Sequence, residues 1–260
     1  MRGFIVVLAF GLFAASCATA PEPTSAPQAP APSEAQIRIA AAIADPNRPQ
    51  GDIDRDSARH PDIMLAFAQI ESGQRVADLL PGGGYFTRLF SQAVGPQGHV
   101  YAVISPQQAA NTASPPAVNA IAADPNYANV SVVATAFASF EVSEPLDLVW
   151  TAQNYHDLHL ALLNTDVAAV NRAIFNALKP GGLYVIIDHT AAAGSPVGVA
   201  DTLHRIDPAI VRREVEAAGF VFDAEDNSLD NPADTLQLNV FDPAIRGHTD
   251  QFAMRFRKPR

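Results

Sequence analysis

The sequence predicts an α/β fold, a doubly wound and mostly parallel sheet of seven strands with helices on both faces. Two observations carry the prediction. Short apolar, β-branched runs alternate along the chain with longer segments of helical periodicity, and no internal repeat interrupts that alternation. Residues 75–90, RVADLLPGGGYFTRLF, join one such run to a helix through Pro81 and three glycines. Glycines at such a junction let the backbone turn sharply and let a ligand lie against the main chain. The N–H groups of the helix that follows favour an anionic or strongly polar ligand. The same turn also forms with no ligand at all.

The chain begins with an expected export signal at residues 1–16. Arg2 supplies the positive charge, and the apolar run at 4–15 is about a dozen residues, too short to span a bilayer comfortably. The run ends in Ala14-Ala15-Ser16-Cys17, and Cys17 is the one cysteine. Small residues before a lone cysteine resemble a bacterial lipobox, with Ala14 where leucine is usual. The expectation is lipidation at Cys17 and anchoring on the periplasmic side of a membrane; cleavage after Ala18-Thr19-Ala20 is the alternative. Residues 17–33 are rich in Pro, Ala, Ser, Thr and Gln and read as a solvated tether, leaving residues 34–260 for the domain. With 17 Lys and Arg against 27 Asp and Glu, the net charge is −10 and no basic stripe forms. Nucleic acid is excluded as a partner on that ground.

Within the domain, Ser33 is the predicted cap of a helix over 34–44. Residues 45–59 are polar and turn-rich. Arg55, Asp56, Arg59 and His60 form either a solvated face or a cover for the glycine turn just downstream. A helix at 61–70 precedes the central strand, its turn and its helix. Strands follow at 98–105, 130–137, 146–152 and 183–188, the last preceded by Lys179-Pro180-Gly181-Gly182. Between them lie a loose helix at 106–125, broken at Pro115-Pro116, and an amphipathic helix at 164–178. A helix at 207–218, capped by Asp207 with Pro208 in its first turn, leads to final strands at 220–225 and 252–257.

Four segments resemble the class I S-adenosylmethionine-dependent methyltransferases: VADLLPGGGYFT at 76–87, GHVYAV at 98–103, PLDLVWTAQNYHDL at 145–158 and LKPGGLYVIIDH at 178–189. The likeness covers residues 61–259, and NYHDL, AGF at 218–220 and RGHTDQFAMRFRKP narrow it to a bacterial group of methyltransferase-like proteins. It implies a Rossmann-like methyltransferase fold, S-adenosylmethionine as cofactor and a small-molecule substrate. Two positions depart from the family. Leu80 stands where a glycine is usual, and the second strand ends Ala102-Val103-Ile104-Ser105, without the acid that accepts from the ribose hydroxyls. An aliphatic side chain there forfeits hydrogen bonds of about 1–3 kcal/mol, so affinity is expected to fall about ten- to a hundredfold. Ser105 or Gln107 would partly substitute; Asp124 or Asp56 could restore the acid by folding over the site, and Tyr85 or Phe86 could plug it.

Ligands of doubly wound sheets sit beyond the C-terminal strand ends. The resemblance and that rule assign Asp78, Pro81, Gly82, Gly83, Gly84, Ser105, Asn154 and Tyr155 to the cofactor. Asp157, Asp188, His204 and Arg205 are assigned to the substrate side, with a helix cap the other role open to Asp207. Methyl transfer sometimes needs a base to unmask the acceptor, and histidine has the suitable pKa. His156 and then His189 are the candidates, each of which could instead only hydrogen-bond its own loop. His156, Asp157, His159, Asp188 and His189 offer metal-ligating atoms, but no cysteine joins them and no metal is assigned. A different class of reading is an exported binding protein that keeps the fold without catalysis.

Overall fold

The computed structural model describes residues 3, 5 and 31–260. The export signal, Cys17 and nearly all of the tether lie outside the described residues. Among those described, no helix is long and apolar enough to cross a membrane. The folded unit is Pro32–Arg260.

Ser33 opens α1 (Glu34–Ile43) reciprocally: its hydroxyl accepts from the Gln36 N–H while Gln36 Oε1 accepts from Ser33 N–H. The polar stretch expected as turns winds instead into α2 (Gln50–Ile53) and α3 (Asp56–Arg59). Their acids are neutralised where they fold, Asp52 by Arg55 and Arg88, Asp56 by Arg48. Next, α4 (Pro61–Phe67) stops short of the predicted residue 70 because Gln69 turns left-handed at φ 54°. Then come β1 (Arg75–Leu79), α5 (Tyr85–Val94) and β2 (His99–Ile104). The two prolines divide the predicted loose helix into α6 (Pro106–Ala110) and α7 (Ala117–Ala123). The remainder is β3 (Val130–Ala134), β4 (Leu146–Ala152), α8 (Val167–Ala177), β5 (Leu178–His189), α9 (Ala200–Leu203), α10 (Pro208–Ala217), β6 (Val221–Asp226) and β7 (Gln251–Arg257).

The seven strands run in the order β3-β2-β1-β4-β5-β7-β6, and β7 alone is antiparallel to its neighbours. Because β1 has β2 on one side and β4 on the other, the connections leave it in opposite directions, which opens a crevice at its C-terminal end. Both faces are covered. Val76, Trp150 and Val185 pack with Met64, Phe86 and Phe90 on one side, while Ala77, Val149 and Tyr184 pack with Val170, Val211 and Phe220 on the other. That double burial explains the near-continuous apolar strands. The Lys-Pro-Gly-Gly segment, read as a stop, is absorbed into β5 as a bulge: Leu146 pairs with Leu178, and Leu148 with Leu183.

Residues 227–250 connect β6 to β7 without regular structure. Arg205, fully buried, holds them by donating to Leu238 O at 3.0 Å, Thr190 O at 2.9 Å and Asp234 Oδ2 at 2.8 Å.

Candidate functional site

A cavity of about 340 Å³ opens where β1 and β4 end, lined by the glycine turn, by Arg55 and Arg59 from the N-terminal helices, and by Gln108, Gln153, Asn154 and Asp157. Its floor follows from the strand alternation. Val76 and Asp78 face α5, so the Asp78 carboxylate meets Thr87, whose Oγ1 donates to it at 2.6 Å. Asp78 is 3% exposed, and burial pushes its pKa up from 3.8 to about 7 against the hydrogen bond from Thr87 and the charge of Arg59.

The turn itself is held by strain and by one side chain. Leu80 sits left-handed at φ 53°, the conformation a glycine takes freely. Asn154 supports it by donating from Nδ2 to Leu80 O at 2.7 Å. Gly82 and Gly83 leave the main chain bare: a Cβ at either would meet nothing within 4 Å. Gly84 serves packing instead, since a Cβ there would lie 2.1 Å from Ile121 Cδ1.

Arg59 lines the same cavity as Asp78. It donates to Gln153 Oε1 at 2.6 Å and, among the described residues, pairs with no carboxylate. Burial and the charge of Arg55 lower its pKa to about 10, which leaves it protonated at neutral pH. The wall behind it is Tyr85, whose ring lies under the guanidinium carbons of Arg59 at 4.8 Å, Arg55 at 5.2 Å and Arg48 at 5.5 Å. The cavity thus presents the Arg59 cation, the buried Asp78 carboxyl and the open main chain of Gly82 and Gly83.

The histidines form a second centre beside it. After β4, His156 is almost fully buried and doubly tied to Asp188: its N–H meets Oδ2 at 2.7 Å and its Nδ1 meets Oδ1 at 2.7 Å. Its Nε2 is 3.2 Å from Asp157 Oδ1, and His204 Nδ1 is 3.8 Å from the same oxygen. Burial pulls the His156 imidazole down, but Asp188 and Asp157 outweigh it and hold the pKa at about 10. His189 goes the other way: burial drops it to about 4, and its Nδ1 bonds Thr249 Oγ1 at 2.8 Å. At neutral pH His156 is therefore the cationic imidazolium and His189 the neutral imidazole with a single ring proton.

Of the residues expected at the cofactor, Asp78, Pro81, Gly82, Gly83 and Asn154 line the cavity. Ser105 is spent on capping α6, where its hydroxyl accepts from Gln108 N–H, and Gln108 rather than Gln107 reaches the cavity. Tyr155 is not a pocket residue. It is fully buried, and its hydroxyl bonds Glu214 and Asn171 beneath the sheet. Asp157 is on the cavity wall and His204 beside it, whereas Asp188 is wholly buried behind His156 and Arg205 staples the 227–250 connection. Asp207 caps α10, accepting from Ala209 N–H.

Neither of the expected substitutes for the ribose acid is in place. Asp56 is bonded by Arg48 and by the Tyr85 hydroxyl at 2.6 Å, and Asp124 caps its own turn at Asn126. Nor is the cavity plugged, because Phe86 packs into the core, its ring tilted against Trp150 at 4.6 Å. Arg59 was legible only as one of two alternatives. Gln153 and Gln108 gave weaker signals: one follows the last residue of β4, the other closes a Ser-x-x-Gln cap.

No protein-family model and no curated sequence matches the chain. Solved structures do. A SAM-dependent methyltransferase from Aquifex aeolicus superposes with a TM-score of 0.53 at 17% identity, over 76% of this chain and 88% of that one. An S-adenosylmethionine-dependent methyltransferase from Mesorhizobium loti gives 0.53 at 18% identity, over 78% and 100%. The N-methyltransferase NodS from Bradyrhizobium japonicum gives 0.53 at 14% identity, over 80% and 98%. The chain has the fold of the class I S-adenosylmethionine-dependent methyltransferases.

Proposed function

We propose that the protein binds S-adenosylmethionine in this cavity and transfers its methyl group to a small molecule. The observation that carries the reading is two groups in one cavity, Arg59, which among the described residues pairs with no carboxylate, and the buried Asp78. Together they suit an amino-acid zwitterion, Arg59 taking its carboxylate and Asp78 its ammonium group. The bare backbone at Gly82 and Gly83 leaves room for the rest of the ligand to lie against the turn. Gln108, the lining side chain that follows the Ile104 end of β2 in the chain, would serve the hydroxyls there. When bound, the cofactor supplies an electrophilic methyl group on a sulfonium. Asp157, His204, His156 and His189 stand on the acceptor side.

Calorimetric titration of the chain with S-adenosylmethionine and S-adenosylhomocysteine tests this. Micromolar binding that weakens at least tenfold in Arg59→Met and in Asp78→Asn is expected. No heat and no thermal shift at millimolar ligand would overturn it. Ile104 in place of an acid favours a second reading, a binding protein that keeps the fold without catalysis, and binding with no transfer to any acceptor would support that instead.

Export and anchoring through Cys17 belong to the same proposal, on the strength of the Ala-Ala-Ser-Cys sequence. In bacterial fractions, Cys17→Ser should lose palmitate labelling and leave the membrane. A membrane-bound, equally labelled variant would refute the anchor.

A further inference from the structure

We propose that His156, Asp157 and His204 bind a divalent transition-metal ion, zinc or a chemically similar one, at the wall of the cofactor cavity. Two elements deliver the three donors. His156 and Asp157 come from the turn after β4, and His204 ends α9. Nε2 of His156, Oδ1 of Asp157 and Nδ1 of His204 all lie within 4.8 Å of one another, with the two contacts to the carboxylate at 3.2 and 3.8 Å. Zinc bonds of about 2.0–2.2 Å put neighbouring tetrahedral donors about 3.3–3.6 Å apart, so a small inward movement of His204 completes the set.

What surrounds the donors fits a ligated ion better than a chance cluster. Asp188, wholly buried, accepts from the His156 backbone N–H and from Nδ1. That arrangement orients the ring with Nε2 toward Asp157 and His204, as a carboxylate behind a ligating histidine does. The ring of His204 is braced edge-on by Phe241 at 4.9 Å. His159, which a His-x-x-His spacing would recruit, faces away and bonds Glu214 at 3.0 Å. The ion takes the place of the proton between His156 Nε2 and Asp157, and that proton leaves to solvent.

Two histidines and one carboxylate leave at least one coordination position open. Asp157 lines the cofactor cavity, so the open position adjoins the space where an acceptor would meet the methyl group. The acceptor class that follows is a small molecule with a hydroxyl or carboxylate oxygen, which the ion would bind and acidify. Only this assignment of the acceptor rests on the methyl-transfer reading; the ion site does not.

The test uses the tag-free chain, stripped with chelator and titrated with Zn²⁺ and with Co²⁺. One ion per chain, with visible Co²⁺ ligand-field bands, is expected. His204→Asn keeps a residue that tolerates the left-handed backbone of this position, φ 53°, and it should weaken binding at least tenfold with the circular dichroism unchanged. Asp188→Asn should weaken it about ten- to a hundredfold, and His248→Ala should leave it alone. No stoichiometric binding, or binding indifferent to His204→Asn, would overturn the site. S-adenosylhomocysteine titrated into the same samples separates the two readings: ion binding without nucleoside binding keeps the metal and removes the methyl donor.

Discussion

Asp78 is held near its own midpoint at neutral pH, and that one carboxyl sets two opposite pH dependences. Its folded pKa of about 7 lies above the unfolded 3.8. Between pH 4 and 7 the folded state therefore holds a proton that the unfolded state has lost, and stability falls as pH rises through that window and stays low above it. Asp78→Asn can keep the bond from Thr87 with no charge to bury. It should raise the melting temperature at pH 8 and flatten its fall from pH 5; a variant melting lower at pH 8 would show the carboxylate to be structural. Ligand binding runs the other way. A cationic group needs the ionised form, so affinity for S-adenosylhomocysteine should climb up to about pH 7 and level off above it. Asp78 and the glycines were legible because their signal is local, one strand end and one turn. The partnership of Arg59 with Gln153 spans the domain and leaves no pattern in either segment. Tyr155 misled because an aromatic residue after a strand can point into a pocket or under the sheet, and here Asn171 and Glu214 draw it under.

The glycine turn divides its labour between neighbouring positions. Gly82 and Gly84 are both left-handed, at φ 55° and 78°, but only Gly84 is packed. Gly82→Ala should cost about 1–2 kcal/mol of stability from backbone strain alone. Gly84→Ala adds a clash with Ile121, which brings the cost to about 2–5 kcal/mol. Urea unfolding of the pair checks the order, and equal losses would mean that the contact with α7 is not formed. Strands and long helices were readable from periodicity, since each is buried along a face. Helices α2 and α3 were not: each is about one turn long, with no apolar stripe, and depends on ion pairs to Arg48 and Arg88. The bulge in β5 was hidden for the converse reason, because Pro-Gly-Gly reads as an ending whether or not the chain resumes its ladder.

At the scale of the molecule, the 227–250 connection depends on one buried charge pair. Arg205 and Asp234 have no exposed side-chain surface, so removing the guanidinium strands a carboxylate in the interior. Arg205→Ala should cost about 3–5 kcal/mol, read by urea unfolding. Arg205→Met with Asp234→Leu, which buries no charge, should recover much of it; an Arg205→Ala chain as stable as the parent would refute the staple. The doubly wound sheet was legible from alternation, but the place of β7 was not, since strand order is absent from local sequence. That place has a consequence for how the chain comes into being. β7 is synthesised after the other six strands of the sheet, yet it is an interior strand, between β5 and β6. On the ribosome, until residue 257 has emerged, β5 keeps an open edge and β6 has no ladder to join. Until then the nascent sheet is unfinished, with its edges exposed to whatever handles unfolded protein in the cell.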